Sequence, residues 1–339
     1  MIYLPLSDEP DTIARTPVVS VVMAVHNGEK YLAEAVESIL NQTFTDLEFL
    51  IIDDGSTDGS AAILSTYARQ DGRIRLVPQT NQGLTKSLNT GIQLARGEFV
   101  ARFDADDISR PQRFERQLRA LRLDPSLVAV GCVVELITDE GLCLGTHGNP
   151  VSHDEIRKRL LLGDGSALTH PAVMIRKSAL SAVGGYDETF PTVQDLDLFL
   201  RLSEVGRVTN LPDKLLLWRQ HESSINRTRT NLWLPMKRHA IEKTIKRIGA
   251  AEYAKQFFYE SENIWAVNDP LALGAIAQRN GYYLSAAKLY SRAMSKPGLR
   301  IEAIRRLLVL SVKSGKRFLQ PYLIARFLRS LIQHRTTRR

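Results

Sequence analysis

Val18-Val19-Ser20-Val21-Val22-Met23-Ala24-Val25, closed by His26-Asn27-Gly28, is the stretch whose reading decides the fold. A β-branched run of this kind ending in a turn is a central strand, buried on both faces. Working outward, Glu29 to Leu40 sets Leu32, Val36, Ile39 and Leu40 on one helical face. Leu47 to Ile52 is a second apolar strand, stopped by Asp53-Asp54-Gly55-Ser56, with a helix from about Asp58 to Gln70. Ile74 to Val77 is a third strand, Leu84 to Ala95 a helix, and Phe99 to Phe103 a fourth strand broken by Asp104-Ala105-Asp106-Asp107. Strands alternating with helices at this spacing predict an α/β fold, Rossmann-like, around a mostly parallel sheet.

The pattern then loosens. Leu127 to Leu136 and Ala172 to Arg176 read as strands and Asp195 to Glu204 as a helix. Beyond about Asn226 the strand signals stop, and residues 230 to 335 read as helix. The chain therefore divides into an extension (1–16), an α/β domain (17–228) and an all-α C-terminal region (229–339). Within the last, Leu271 to Pro297 has the spacing of one tetratricopeptide-type helix hairpin.

Composition removes several classes. Of 339 residues 44% are apolar and 24% charged, which excludes a disordered or fibrous chain. No apolar run reaches the roughly 18 residues of a membrane span. Cys132 and Cys143 make neither a disulfide framework nor a four-cysteine zinc site, and they suit a reducing cytoplasm. Met1 to Asp11 has no basic n-region, so no secretory leader is expected. The net charge of +8 is concentrated: from Ser291 to Arg339, 13 Lys and Arg face one acid, Glu302, so the preceding body is mildly acidic.

The chemistry is carried by acids at the carboxyl ends of strands, where ligands bind in open α/β sheets. Asp53 and Asp54 end one strand; Asp104, Asp106 and Asp107 end another. Up to five carboxylates are expected over one crevice, a crowding that a divalent cation relieves. Oxygen donors of this kind suit Mg²⁺ or Mn²⁺ and a phosphorylated ligand. No Gly-x-Gly-x-x-Gly, phosphate-loop, His-Glu-x-x-His or Gly-x-Ser-x-Gly motif competes with that reading.

Several ordered segments resemble the family 2 glycosyltransferases of GT-A fold. They are Val18 to Gly28, Ser38-Ile39-Leu40-Asn41-Gln42-Thr43, Ile52 to Asp58, Asn89-Thr90-Gly91-Ile92, Gly97 to Asp107 and Gln194-Asp195-Leu196-Asp197-Leu198. The resemblance covers about residues 17 to 225. It implies an inverting enzyme that takes a sugar from a nucleotide diphosphate donor, with UDP-sugars favoured. It further implies that Ala24, Val25 and His26 line the base pocket and that Asp54 hydrogen-bonds the base. Asp104 and Asp106 would be the Asp-x-Asp, Asp104 facing ribose or sugar and Asp106 the Mn²⁺ or Mg²⁺ that bridges the diphosphate. Asp195 matches the general base; on a helix Asp197 would point about 200° away from it. Trp218-Arg219-Gln220-His221 resembles the closing segment, where a basic residue and His221 would meet diphosphate and metal. Lys86 is placed to reach a phosphate. Thr169-His170-Pro171 resembles an acceptor-side segment, and Gly184-Gly185-Tyr186-Asp187 reads as a structural turn.

Three rival readings carry less. A processive synthase would add membrane spans and a Gln-x-x-Arg-Trp segment, both absent from this sequence. A degenerate transferase serving as a scaffold would not need the intact Asp-x-Asp and Asp195. A nucleic-acid partner is not expected, because Phe318, Tyr322 and Phe327 fall on the tail's apolar face rather than interleaved as stacking platforms. Residues 313–339 instead read as a cationic amphipathic helix, with Leu319, Leu323, Phe327 and Leu331 at four-residue spacing. That pattern predicts salt-sensitive, peripheral attachment to an anionic membrane face, where a glycan or lipid-linked glycan acceptor would already lie.

Overall fold

A computed structural model of the chain describes residues 16–221, 230–249, 274–275, 277–278, 282–294 and 298–314. The strands among them are β1 (Val19–Val25), β2 (Leu47–Asp54), β3 (Ile74–Gln79), β4 (Phe99–Asp104), β5 (Ile108–Ser109), β6 (Leu127–Thr138), β7 (Cys143–His147), β8 (Met174–Arg176) and β9 (Arg207–Gln220). They form one sheet in the order β3-β2-β1-β4-β8-β6-β9-β5, with β7 on β6. The β3-β2-β1-β4 half is parallel, as the alternation predicts. The other half is mixed: β8 runs antiparallel to both β4 and β6, while β9 runs parallel to β6.

Helices cover the faces: α1 (Glu29–Leu40), α2 (Ser60–Gln70), α3 (Leu84–Leu94), α4 (Arg113–Leu123), α5 (His153–Leu161), α6 (Lys177–Val183) and α7 (Gln194–Val205). Each packs by an apolar stripe; α1 buries Leu32, Ala35, Val36 and Ile39. Helix α3 approaches β1 so closely that a Cβ on Gly91 would stand 2.4 Å from Val22 Cγ1. Only glycine fits there. Every residue of β2 is buried, including Glu48. Its carboxylate is satisfied by Ser20 Oγ (2.7 Å), Arg75 Nη1 (2.8 Å) and the Arg96 backbone N–H (2.7 Å) and Nε (2.8 Å).

Further helices among the described residues are α8 (Thr230–Ile248), α9 (Tyr283–Ala293) and α10 (Arg300–Ser314). Although the end of the strand signals near residue 228 groups α8 with the C-terminal region, Met236 and Ala240 pack into the same core as α7. Lys243 pairs with Asp187, and Arg247 grips Glu204 through two hydrogen bonds of 2.7 Å. Helices α9 and α10 share a smaller core with Leu136 and Leu144 of the β6–β7 hairpin. Among the described residues no helix is long and apolar enough to cross a membrane. The tail stripe from Leu319 onward, Phe318 and Tyr322 lie outside the described residues.

Candidate active site

The carboxyl ends of β1, β2 and β4 open on one side of the sheet. Of the five acids expected there, three converge: ligand atoms of Asp104, Asp106 and Asp107 all lie within 4.8 Å of one another. Asp53 and Asp54 do not join them. Strand order explains this, since β1 separates β2 from β4 and two strand spacings amount to roughly 10 Å. Asp53 Oδ1 instead accepts from the Ser56 N–H at 3.1 Å. Asp54 accepts from Gln79 Nε2 (2.7 Å), Gln82 N–H (2.8 Å) and Gly83 N–H (2.9 Å), tying the loop before α3 to the end of β2. Burial pushes the Asp54 carboxyl up, but these donors outweigh it and hold the group below its usual range.

The remaining donor-side candidates are spread along this rim. Ala24 is partly exposed at the end of β1, whereas the Val25 side chain lies in the core, leaving only its main chain to a ligand. His26 is exposed, its Nδ1 2.9 Å from the Asp54 carbonyl oxygen. Lys86 is exposed on α3 and lies outside the cavity described below.

Each member of the acidic triad has a different setting. Asp104 is paired through Oδ2 with Arg102, whose side chain is only 5% exposed. Burial raises the Asp104 pKa; Arg102 opposes the rise and Asp106 adds to it. Asp106 Oδ2 lies 2.7 Å from His221 Nε2. Asp107 is 1% exposed; its Oδ1 accepts from the Arg219 backbone N–H at 2.9 Å, and its Oδ2 finds no partner. Burial, then Asp106 and Asp104, push its pKa well up. A buried carboxylate oxygen without a donor, two raised acids and a neighbouring imidazole form a set that fits Mg²⁺ or Mn²⁺.

Arg219 lines the cavity that Asp104 and Asp106 border, with its guanidinium already engaged within the protein. Its buried guanidinium donates to the backbone oxygens of Asp106 (2.8 Å) and Asp139 (3.0 Å) and pairs with Glu34. It also lies 4.6 Å from the Tyr31 ring centroid. Its work is to brace the acidic turn against α1 and the β6–β7 turn.

Asp195 stands on the first turn of α7 and borders a cavity of about 200 Å³ that also takes in Arg102, Asp104, Asp106, His170, Trp218, Trp233 and Lys237. Burial raises its pKa; the Leu196 N–H (2.9 Å), Arg102 and Lys237 pull the other way. Asp197 points elsewhere, as the helical spacing predicts: fully buried, it holds Arg201, which donates onward to the Val183 and Gly185 carbonyls. The residue before the helix, Val193, has φ 57° and ψ 21°. A β-branched side chain in left-handed backbone is strained, and this one adjoins Gln194 and Asp195 at the cavity wall.

Two segments read separately in the sequence meet here. His170 Nε2 lies 2.6 Å from the Tyr186 hydroxyl. Burial, and after it Arg102, press the His170 pKa well down, and burial raises that of Tyr186, so a phenol O–H donating to neutral imidazole fits both. Trp233 and Lys237 line the cavity without a site signal in the sequence, because α8 reads as C-terminal helix.

Comparison with known proteins decides the family. The profile described as "Glycosyl transferase family 2" matches residues 20–184. The putative glycosyltransferase EpsE of Bacillus subtilis (strain 168) is 35% identical over 216 residues, 62% of this chain and 76% of that protein. The chain belongs to the family 2 glycosyltransferases. The Escherichia coli O-antigen biosynthesis glycosyltransferase WbnJ is 33% identical over 215 residues, covering 62% of this chain and 83% of the relative. E. coli chondroitin synthase is 34% identical over 200 residues, 58% of this glycosyltransferase but only 28% of the synthase. Two solved structures share the fold. S. aureus TarS 1-349 in complex with UDP has TM-score 0.52, 16% identity and 87% coverage of each chain. The mannosyltransferase PcManGT from Pyrobaculum calidifontis, with GDP-Man and Mn²⁺, has TM-score 0.53 and 19% identity, and covers 92% of this chain and 83% of its own.

Proposed function

We propose that this glycosyltransferase transfers a sugar from a nucleotide diphosphate donor, UDP-sugars first, to a hydroxyl of a glycan or lipid-linked glycan in cell-surface polysaccharide synthesis. The observation that carries the proposal is the position of Asp195 on the wall of a cavity it shares with Asp104 and Asp106, its pKa raised by burial. An acid so placed can take the acceptor proton at Oδ while the acceptor oxygen attacks the anomeric carbon. The new C–O bond forms as the bond to the nucleoside diphosphate breaks, a single displacement that inverts the anomeric centre.

Asp104, Asp106, Asp107 and His221 would hold the metal, and Ala24, His26, Asp54 and Lys86 the nucleotide. When bound, Mg²⁺ or Mn²⁺ supplies electrostatic stabilisation of the leaving diphosphate. Arg102 favours the ionised form of Asp104 and aims it, and the His170–Tyr186 pair forms a neutral wall beside the base. A thermal-shift screen of UDP-, GDP- and dTDP-sugars with Mn²⁺, followed by transfer assays, tests the donor. A ligand at 100 times its Kd stabilises the folded state by about 2.7 kcal/mol. UDP-sugars should give the largest shift; a clear preference for another nucleotide rejects that donor class. Peripheral attachment through residues 313–339 rests on the tail's amphipathic, cationic sequence. Co-sedimentation should be lost on truncation at residue 312 and absent with neutral vesicles.

A further inference from the structure

Helix α8 contributes Trp233 and Lys237 to the lining of the cavity. Lys237 is half-buried there and makes no hydrogen bond or ion pair with the described residues. The carboxylates that act on it are Asp195 and Asp164. Neither is a free counter-ion. Asp164 is already committed to Arg159, whose Nη2 stands at 2.7 Å, and its Oδ1 accepts from the Ser166 N–H at 3.1 Å. Asp195 faces the triad as well, since it also acts on Asp104. Burial pulls the Lys237 pKa down, the mark of a cation short of compensation. Its ammonium lies 5.3 Å from the Trp233 ring centroid, so an aromatic face and a cation adjoin on one wall. Trp218 lines the same cavity.

That pairing has a specific use. A pyranose stacks its C–H face on an indole, and an anionic substituent on the same sugar can reach the ammonium beside it. The donor diphosphate does not need Lys237, because the triad and His221 serve it. Resting on the reading of Asp195 as the base, we propose that Lys237 and Trp233 form an acceptor subsite that selects a sugar unit bearing an anionic group, a carboxylate or a phosphate. The acceptor hydroxyl then lies at Asp195, with its charged substituent held at Lys237.

The test is calorimetric titration of the wild-type protein with UDP and Mn²⁺ present. The probes are 4-nitrophenyl β-D-glucuronide, glucose 6-phosphate and the neutral 4-nitrophenyl β-D-glucoside. At least one acidic probe should bind about ten-fold tighter than the glucoside, consistent with a charge-assisted contact in a partly buried site. Which acidic probe does so separates carboxylate from phosphate. Lys237→Gln should erase the difference while leaving UDP affinity and melting temperature in place. Trp233→Leu should weaken acidic and neutral probes together. Absence of binding by both acidic probes, equal binding of the glucoside, or a preference that survives Lys237→Gln each overturns the proposal. The UDP titration alone reads the donor assignment, so its failure is separate from that of the subsite.

Discussion

Replacing Arg102 by Met removes the cation beneath Asp104 while keeping an unbranched apolar stem of similar length. Breaking a fully buried ion pair from one side costs about 3–5 kcal/mol. Asp104 is 29% exposed at its side chain, so water compensates part of the stranded charge and about 1–3 kcal/mol is the expected loss. The loss has a pH signature. Burial already raises the Asp104 pKa, and Arg102 is what limits the rise. An acid whose folded pKa is raised holds its proton more tightly in the folded state, so its stability contribution is intact at low pH and is lost as pH rises through the folded value. Without Arg102 that loss deepens and moves to higher pH. As pH falls and Asp104 takes up its proton, progressively less of the ion pair remains to be lost. Urea denaturation in EDTA at pH 5 and pH 8 should therefore show a larger destabilisation at pH 8. Because Arg102 also lowers the Asp195 pKa, the acid limb of kcat/KM should move to higher pH in the variant. An equal loss at both pH values, or a total loss below about 0.5 kcal/mol, would refute the placement of this charge.

Other perturbations test separate parts of the account. Burial pushes the Glu48 carboxyl up, yet Ser20, Arg96 and Arg75 together hold it below its ordinary value, so its contribution is present above the unfolded pKa and lost as pH falls through the folded one. Glu48→Gln should cost about 1.5–3 kcal/mol in neutral urea melts and progressively less in acid, the half-exposed arginines left behind being hydrated. Val193→Gly relieves about 1–3 kcal/mol of backbone strain but gives back chain entropy and an apolar contact. Stability should thus change by less than about 1 kcal/mol while kcat falls, since the strained residue sets the start of α7; unchanged kcat would deny it that role. In the wild type, turnover should decline on acidification with an apparent pKa above the usual aspartate value, because burial raises Asp195. A limb at or below that value would place the titrating base elsewhere.

The parallel half of the fold was legible because its strands are apolar on both faces and end in acids or turns. Beyond β4 the signals are compromised by the contacts the fold needs. Strand β9 carries Pro212 and Asp213 in mid-course, where its register against β6 shifts, and so it lacks a strand pattern. Helix α4 places Arg113 and Gln117 on its buried face, positions that periodicity reserves for apolar residues. Gln117 spends its amide on the Val130 and Ala172 carbonyls, and Arg113 lies against the Phe103 and Phe114 rings. The site divides the same way. Asp104, Asp106 and Asp195 stand out as acids at strand and helix ends. Arg219 reads in the sequence as a contact for the diphosphate, and only the structure shows its bonds to Glu34 and the Asp106 backbone. Lys237 and Trp233 reach the cavity by the packing of α8 on α7, which no local pattern encodes.

The central claim is that Asp195 is the base of a sugar transfer, and Asp195→Asn tests it most directly. The substitution is nearly isosteric and removes a charge that burial disfavours, so the variant should melt no lower than wild type at neutral pH. UDP and Mn²⁺ should bind it with unchanged affinity. Transfer from the donor found by the screen should fall by about 10²–10⁴-fold, the range of general-base catalysis. Transfer near the wild-type rate by a folded Asp195→Asn protein that binds UDP would contradict the account.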